Sequence, residues 1–372
     1  MEAKRKILIS GYYGFDNSGD DAILKAIVKD LRENSENIEI IALSNKPSHT
    51  KRIYDIEAIN RFNMREVLRA IKSCDLFISG GGSLLQDVTS TRSILYYLLL
   101  MNLAKMYKKP VMVYANGIGP INKKFNRFLT KRILNKVDLI SLRDEDSKKF
   151  LEQLGVKNTN IHVTADPVFT LAPSSEARIS EIFEMENIPA EKPMIGISVR
   201  QWKNDDELVS TIAKTIDYIL GSYDVNVLLV PMHYPEDLDI SMKIKENVNR
   251  KNCYMLKEMY SVEDIMGIIK KMEIIIAMRL HSLIYAATQG TPMIGLIYDP
   301  KIEGFLKFID MEYMCHIEDI ELVELYTDID NVWKNKDNIR RKLMEKDEKL
   351  KGKALENVKM ALDLLKEGDK NG

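Results

Sequence analysis

The sequence predicts an α/β protein built from two Rossmann-like domains. Short apolar runs alternate with amphipathic helical patterns over residues 6–166, and after a break the same alternation restarts at residue 194. Strands that alternate with helices form a parallel sheet covered by helices on both faces. A chain of 372 residues is also long enough for two domains of ordinary size.

The first domain is predicted over residues 1–172. Short runs rich in β-branched residues indicate buried strands, and apolar residues at helical spacing indicate amphipathic helices. The predicted strands are KILISG, IEIIAL, DLFISGGG, PVMVYANGIG, DLISLRD and IHVTAD. The predicted helices between them are DAILKAIVKDLREN, NMREVLRAIKSC, RSILYYLLLMNLAKMYKK, KKFNRFLTKRILNKV and EDSKKFLEQLG.

A second domain is predicted over residues 193–335, after a linker at 173–192 that is rich in proline and polar residues and lacks a strand pattern. Its predicted strands are MIGISVR, VNVLLVPM, CYML, EIIIAMR and PMIGLI. Its predicted helices are ELVSTIAKTIDYILGSY, DLDISMKIKENV, SVEDIMGIIKKM and LHSLIYAATQG. Residues 336–372 are charged and helical in pattern, and this C-terminal region can pack back on the first domain.

Composition argues against several classes of protein. The 54 basic and 55 acidic residues give a net charge of -1, and without a strongly basic domain we expect no nucleic-acid partner. Cys74, Cys253 and Cys315 are few and far apart, which indicates a reducing compartment rather than a disulfide framework or a zinc site. No apolar stretch reaches the ~20 residues that span a bilayer, and the N-terminus does not read as a signal peptide. We therefore expect a cytoplasmic protein.

Residues that directly follow strands are the candidates for function, because open parallel sheets bind ligands at the carboxyl ends of their strands. The first candidate is the glycine-rich segment GYYGFDNSGDDAIL, which contains Asp16, Asn17 and Asp20. Ser18 or Asp20 is predicted to cap the following helix, whose free amides can bind an anion or a sugar hydroxyl. The alternative is a well-capped loop without a ligand.

The second candidate is the glycine run Gly80, Gly81 and Gly82 in SGGGSLLQD. Glycines after a strand let a ligand approach the backbone closely, and their amides can form a nest for an anion. Close packing of a helix against the strand is the alternative.

Cationic side chains follow several predicted strands. They are Arg143, Arg200, Arg279, His281 and Lys301. An arginine fork suits a carboxylate or a phosphate, and several cations at one sheet edge favour a small polyanion as substrate. For Arg143, an ion pair with Asp144 or Asp146 is an equally good interpretation of the spacing.

Eight segments, in this order, resemble the polysaccharide pyruvyl transferase family, and especially those members that pyruvylate secondary cell-wall polymers. They are YYGFDNSGDDAIL, SGGGSLLQDVTSTRS, NGIGPI, SLRDEDS, TADP, GISVRQW, MRLHSLIYAATQGTP and IYDPKIEGF. The resemblance covers about residues 7–310. It implies a GT-B-like fold with two domains facing across a cleft, and a phosphoenolpyruvate donor used as co-substrate without any further cofactor. The implied acceptor is N-acetylmannosamine in a lipid-linked saccharide precursor, which leaves open a peripheral contact with the inner face of the membrane.

The resemblance also implies roles for the candidate residues. By resemblance, the catalytic donor-site residues are Arg143, His281 and Lys301, with Arg279 and Arg200 as further candidates for that pocket, while Asp16, Asn17, Asp20, Gly80, Gly81 and Gly82 face the acceptor. His281 would protonate the methylene carbon of phosphoenolpyruvate, since imidazole titrates near neutral pH. Arg143 and Lys301 would stabilise the departing phosphate. We expect no metal ion, because no His/Asp cluster has the spacing of metal ligands.

Two other functions fit the same pattern of residues. A glycosyltransferase with a nucleotide-sugar donor would have the same fold, and Glu303 could then bind the ribose. A non-catalytic sugar-binding protein is the other alternative, but it leaves the cationic set without a purpose.

Overall fold

The computed structural model describes residues 4–88, 90–203 and 205–370. The chain forms two compact units: unit 1 contains Met1–Thr170 and Leu350–Gly372, and unit 2 contains Leu171–Lys349. The outermost residues of the predicted first domain (1–3) and of the predicted C-terminal region (371–372) lie outside the described residues. Thr89 of SGGGSLLQDVTSTRS and Asn204, which follows GISVRQW, also lie outside them.

Unit 1 is a parallel sheet with helices between its strands. The strands are β1 (Arg5–Tyr13), β2 (Ile38–Ser44), β3 (Glu57–Asn60), β4 (Leu76–Ser79), β5 (Gly82–Leu85), β6 (Val111–Ile118), β7 (Leu139–Leu142) and β8 (Ile161–Val163). The helices are α1 (Ser18–Asn34), α2 (Pro47–Tyr54), α3 (Met64–Ser73), α4 (Thr91–Met106), α5 (Lys124–Leu134) and α6 (Glu145–Leu154). The strand order is β3-β2-β1-β4-β6-β7-β8, with β5 paired to β6. The order reverses between β1 and β4, as in a doubly wound Rossmann sheet.

Unit 2 repeats this architecture after α7 (Glu176–Met185). Its strands are β9 (Met194–Ser198), β10 (Asn226–Leu229), β11 (Cys253–Met255), β12 (Met272–Ala277), β13 (Met293–Ile297) and β14 (Met314–His316). Its helices are α8 (Asp205–Ser222), α9 (Glu236–Asn247), α10 (Val262–Lys270), α11 (Leu280–Gln289) and α12 (Pro300–Phe308). The order β11-β10-β9-β12-β13-β14 reverses between β9 and β12. This reversal makes the carboxyl ends of β9 and β12 the expected ligand edge of unit 2.

The central strands of both sheets are continuous apolar runs. Ile7, Leu8 and Ile9 of β1 are fully buried, as are Ile275 and Ile276 of β12. Such runs are typical of parallel strands whose two faces are both covered by helices, because neither face meets water. The predicted fold class, α/β with two Rossmann-like domains, is confirmed.

Two segments lie outside the alternation of strands and helices. Residues 173–192, predicted as a linker, contain α7, whose Ile179 and Ile182 are buried and whose N-cap is Ser175. The last helix, α13 (Leu322–Lys370), contributes its residues from Leu350 onward to unit 1. There the fully buried Asn357 accepts a hydrogen bond of 2.9 Å from the Thr164 hydroxyl. This buried polar contact fixes the end of α13 beside the end of β8.

Candidate functional site

The carboxyl edge of unit 2 collects four of the predicted donor-site residues. Arg200 follows β9, Arg279 and His281 follow β12, and Lys301 follows β13. These three strands are neighbours in the sheet, and β9 and β12 are the pair at which the strand order reverses. The four side chains therefore emerge where an open α/β sheet binds its ligand.

Arg279 is held by a fully buried carboxylate. Its Nε donates to Asp237 Oδ2 over 2.9 Å, and its Nη2 donates to Asp237 Oδ1. Asp237 is inaccessible to solvent and also accepts the backbone N–H groups of Met232 and His233. A two-pronged pair of this kind satisfies the guanidinium charge internally. Arg279 therefore connects the end of β12 to the start of α9.

Arg200 has a different environment. Its guanidinium lies 5.0 Å from the ring centre of Tyr298 and donates to the Tyr298 hydroxyl over 3.2 Å. Within the described residues no carboxylate forms an ion pair with it, and its buried Nε has no hydrogen-bond partner. A positive charge balanced only by an aromatic ring and a hydroxyl retains most of its attraction for an anion.

His281 lies in the first turn of α11. The side chain is half-buried, and its ring centre is 6.3 Å from that of Tyr285. The first turn of α11 contains no acidic residue of its own, so no carboxylate within that turn offsets the positive end of the helix dipole. The next residue, Ser282, donates to the Ser198 hydroxyl at the end of β9 over 2.8 Å, which fixes the start of α11 against the neighbouring strand.

Lys301 has a carboxylate beside it. Asp299 caps α12 by accepting the backbone N–H of Lys301 over 3.0 Å, and its other oxygen lies 3.1 Å from Lys301 Nζ. The lysine is one third exposed and the pair is accessible to water. Glu303, the residue proposed for a ribose, accepts instead from Lys307 one turn along the same helix.

The predicted cap of α1 is wrong by one residue. The helix begins at Ser18, so Asn17 is the N-cap, and its side-chain oxygen accepts from the backbone N–H of Gly19 over 3.1 Å. Asp20 lies in the first turn instead of capping it. Asp16 adopts a left-handed backbone (φ 57) and pairs with Lys46. Asp16 and Asn17 therefore each have a structural role in this loop.

The glycine run at the end of β4 is closely packed. A Cβ on Gly80 would lie 2.1 Å from the hydroxyl oxygen of Tyr13, and one on Gly81 would lie 2.9 Å from Ile23 Cγ2 in α1. Gly82 has φ +90, a conformation that favours glycine, and its Cβ position is 3.3 Å from Asp20 Oδ1. Packing alone thus explains why Gly80 and Gly81 have no side chain.

Arg143, at the end of β7, is buried and paired. It donates to Asp166 over 3.1 Å and to the Ser83 hydroxyl over 3.0 Å, with Asp144 at 3.7 Å from its Nε. Asp146, the other proposed partner, pairs instead with Lys149 on the surface of α6. The charge of Arg143 is therefore compensated within unit 1.

One strand-end cation was missed by the sequence reasoning. Arg61 directly follows β3 and is only 5% exposed, with its guanidinium 4.7 Å from the ring centre of Tyr96 and 5.4 Å from that of Tyr97. It donates to the Gly11 carbonyl over 2.9 Å, yet no carboxylate pairs with it among the described residues. Residues that directly follow predicted strands are the candidates for function, and Arg61 is not among them because β3 itself was not predicted.

Over residues 4–88, 90–203 and 205–370, no three His, Cys, Asp or Glu side chains come together as metal ligands. In the same part of the chain, no helix combines the length and the apolar character needed to cross a bilayer.

Solved structures share this fold at low sequence identity. UDP-GlcNAc 2-epimerase from Neisseria meningitidis, solved with UDP-GlcNAc, matches with a TM-score of 0.66 and 14% identity, over 96% of this chain and 99% of that one. A glycosyltransferase from Rickettsia africae matches with a TM-score of 0.66 and 15% identity over 100% of both chains. HepE from Anabaena, solved with UDP and glucose, matches with a TM-score of 0.64 and 12% identity, over 99% and 100%. Together with the two Rossmann sheets, these define an α/β protein of the GT-B type.

Sequence comparison specifies the family. The family model for polysaccharide pyruvyl transferase matches residues 17–300, and the chain belongs to that family. The amylovoran biosynthesis protein AmsJ of Erwinia amylovora is 22% identical, in an alignment of length 368 that covers 83% of this chain and 87% of AmsJ. The protein is therefore a transferase of the class that adds pyruvate to polysaccharides.

Proposed function

We propose that the protein transfers pyruvate from phosphoenolpyruvate to two hydroxyls of one sugar, forming a 4,6-ketal and releasing phosphate. The proposed acceptor is N-acetylmannosamine in a lipid-linked precursor of a secondary cell-wall polymer, as the resemblance to CsaB-type members implies. Family membership supports the pyruvyl transfer, and the relative named for amylovoran biosynthesis supports a polymeric saccharide as the product.

The observation that carries the proposal is the environment of Arg200 at the end of β9, the strand that neighbours β12 and so lies on the same sheet edge as the start of α11. Phosphoenolpyruvate is a small anion with a carboxylate and a phosphate. The charge of Arg200 has no carboxylate partner in the described part of unit 2, and α11 begins without an acidic residue. An arginine fork and a helix N-terminus on the same sheet edge favour an anion of this kind.

The proposed reaction uses His281 as the general acid. A proton from the imidazolium moves to the methylene carbon of phosphoenolpyruvate, which becomes a methyl group, and C2 becomes an oxocarbenium-like centre. One sugar hydroxyl adds to C2, the C–O bond to phosphate breaks, and the second hydroxyl adds to complete the ketal. The two hydroxyl protons are released, one to phosphate and one to restore the acid.

Cations lower the energy of the departing phosphate in this scheme. Arg200 and Lys301 are proposed to bind the donor in unit 2, and binding at Lys301 would share or displace its contact with Asp299. The roles of Arg143 at the donor, and of Asp16, Asn17, Asp20 and Gly80 to Gly82 at the acceptor, stay predictions. Arg279 is already bound to Asp237 and is expected to position the end of β12.

Turnover with defined donors tests the proposal. The protein is incubated with a synthetic lipid-linked disaccharide and either phosphoenolpyruvate or a UDP-sugar, and phosphate release and product mass are measured. We expect phosphate only when both phosphoenolpyruvate and the acceptor are present, with a product heavier by one ketal-linked pyruvate. Turnover with the UDP-sugar alone would favour a glycosyltransferase and overturn the proposal.

Variants then assign the roles. His281→Gln should lower turnover by roughly a hundredfold or more with an unchanged melting temperature. The exposed His162 offers a matched control, and His162→Gln should keep full activity. Arg200→Met should weaken phosphoenolpyruvate binding by roughly tenfold or more, measured by titration calorimetry. Normal affinity in a folded Arg200→Met protein would remove this residue from the donor site.

A further inference from the structure

Unit 2 contains a pocket that the proposed donor does not explain. It has a volume of about 280 Å³, near the small end of the range for ligand pockets. It is lined by residues of the loop after β9, of α8, and of the short helix after β14. The lining includes Trp202, Lys203, Glu207, Leu208, Ile317 and Glu318. The volume suits one ring of a ligand and not an extended chain.

The pocket combines a flat aromatic wall with aliphatic side chains. The indole of Trp202 lines the pocket, with Lys203 Nζ 5.3 Å from its ring centre, and Leu208 and Ile317 supply apolar surface. The backbone N–H of Trp202 donates to Asp205 over 2.8 Å, which fixes the loop to the start of α8. A rigid aromatic face next to apolar groups binds the apolar face of a ring.

The charges of the pocket are unlike those at the start of α11. Asp205, Asp206 and Glu207 occupy the first turn of α8, and Glu318, on the short helix after β14, also lines the pocket. Lys203 offsets part of this charge and lies 3.6 Å from Glu318. Three carboxylates neutralise the positive end of the helix dipole, so a phosphate group is disfavoured there. Carboxylates are instead good acceptors for the hydroxyl groups of a neutral ligand.

The pocket adjoins the proposed donor edge through one aromatic contact. The ring centres of Trp202 and Tyr298 are 5.0 Å apart at an angle of 59°. Tyr298 in turn lies under the guanidinium of Arg200. A ligand on Trp202 is therefore separated from the anion-binding arginine by a single aromatic side chain.

We propose that this pocket is a saccharide subsite that takes one neutral sugar ring of the acceptor. The apolar face of the ring stacks on Trp202, and ring hydroxyls donate to Glu207 and Glu318. A nucleobase could also stack on an indole, but its attached diphosphate would meet the acidic start of α8. This inference rests on the proposed function, since it assigns the ring to the acceptor of that reaction.

Fluorescence can test the subsite without turnover. The chain has two tryptophans, Trp202 and Trp333, so Trp333→Phe leaves the pocket residue as the only indole. This variant is titrated with a soluble N-acetylmannosamine-containing disaccharide, with UDP and with phosphoenolpyruvate. We expect a saturable change of emission with the disaccharide and none with the other two at the same concentration. Saturation by UDP without saturation by the disaccharide, or no response to any probe, would overturn the inference.

Charge-neutral variants in the same background sharpen the test. Glu318→Gln and Glu207→Gln keep the shape of the side chain but lose the charged acceptor, so each should weaken disaccharide binding by roughly tenfold. Glu246, exposed on α9, provides the control, and Glu246→Gln should bind normally. Unchanged binding in both pocket variants, with their melting temperatures maintained, would also overturn the inference.

The failure of the subsite can be told apart from the failure of the proposed reaction. If phosphoenolpyruvate-dependent turnover is present, Glu318→Gln should raise the KM for the acceptor and leave kcat and the KM for phosphoenolpyruvate unchanged. Sugar binding without such turnover would support the subsite and contradict the reaction. Turnover without any response of Trp202 to the sugar would support the reaction and contradict the subsite.

Discussion

Breaking the pair between Asp237 and Arg279 should destabilise unit 2 strongly. The perturbation is Asp237→Asn, which keeps the side-chain volume and removes the negative charge. Asp237 is fully buried, and the Arg279 side chain is 14% exposed, so the guanidinium would lose its counter-ion in a poorly solvated place. Removing one partner of a buried ion pair typically costs about 3–5 kcal/mol, because the other charge stays buried and uncompensated.

The structure supports a value inside that range. Asp237 also accepts backbone N–H groups at 3.2 Å and 3.1 Å, from Met232 and His233. The asparagine oxygen can retain part of these contacts, while its NH2 group faces the guanidinium and cannot accept from it. At urea m-values of about 2–3 kcal/mol/M, the midpoint of unfolding should fall by about 1–2.5 M urea.

Tryptophan emission is a suitable assay, because Trp202 and Trp333 both belong to unit 2. Urea titrations followed by emission report this unit, and Asp239→Asn, at an exposed site on the same helix, is the matched control with an expected change near zero. The double variant Asp237→Asn/Arg279→Met should lose less free energy of unfolding than the two single variants lose in total, because neither charge is then left without its partner.

Two results would refute this reasoning. An Asp237→Asn protein as stable as the control would mean that the pair is not desolvated. An Arg279→Met protein of normal stability with lost affinity for phosphoenolpyruvate would make Arg279 a donor ligand and not a structural residue.

Three further predictions concern unit 1 and the predicted donor cations. Burial raises the pKa of Asp30 to about 6 from 3.8, so the folded protein holds that proton more tightly than the unfolded chain. The stabilisation from this bound proton is fully present below the pKa of the unfolded chain, and the free energy of unfolding falls by about 3 kcal/mol as pH rises through about 6. Urea titrations across this range measure that fall. The Asp30→Asn variant should lack this site's contribution to it. Gly80→Ala would force Tyr13 to move and should cost about 1–3 kcal/mol, seen as a lower melting temperature; a normal melting temperature with lost acceptor binding would assign the glycine to the ligand. Calorimetry with phosphoenolpyruvate on Arg143→Ala and Lys301→Ala should show roughly tenfold weaker binding if both contact the donor, and normal affinity in both folded variants would make their ion pairs purely structural.

The sequence predicted the central strands well and the short elements poorly. β1 and β12 are long apolar runs, and such runs have few alternative structures once both faces must be covered. β3 (Glu57–Asn60) has only one buried residue, and β14 (Met314–His316) is an edge strand of three residues. Their hydrophobic pattern is too short to distinguish from a loop, so tertiary pairing with β2 and β13 decides their structure.

The positions of the site residues were predictable, whereas the distant partner of Arg279 was not. The rule that ligand residues follow strands located Arg200, Arg279, His281 and Lys301 at one sheet edge, because it depends only on the local alternation of strand and helix. The carboxylate that binds Arg279 is 42 positions away in the sequence. No local pattern specifies a contact between two such loops, since it arises only when the sheet brings them together.

The distinction between an available and a paired charge therefore needs the folded structure. Arg143, Arg279 and Lys301 each have a carboxylate within ion-pairing distance, so a ligand at any of them competes with an existing partner. Arg200 and the unpredicted Arg61 have aromatic rings instead, and in the described residues no carboxylate pairs with either. An aromatic face stabilises a cation by about 0.5–2 kcal/mol without neutralising it, so an anion gains more at these two arginines than at the paired cations. Anion affinity should follow this difference rather than the number of cations at the edge.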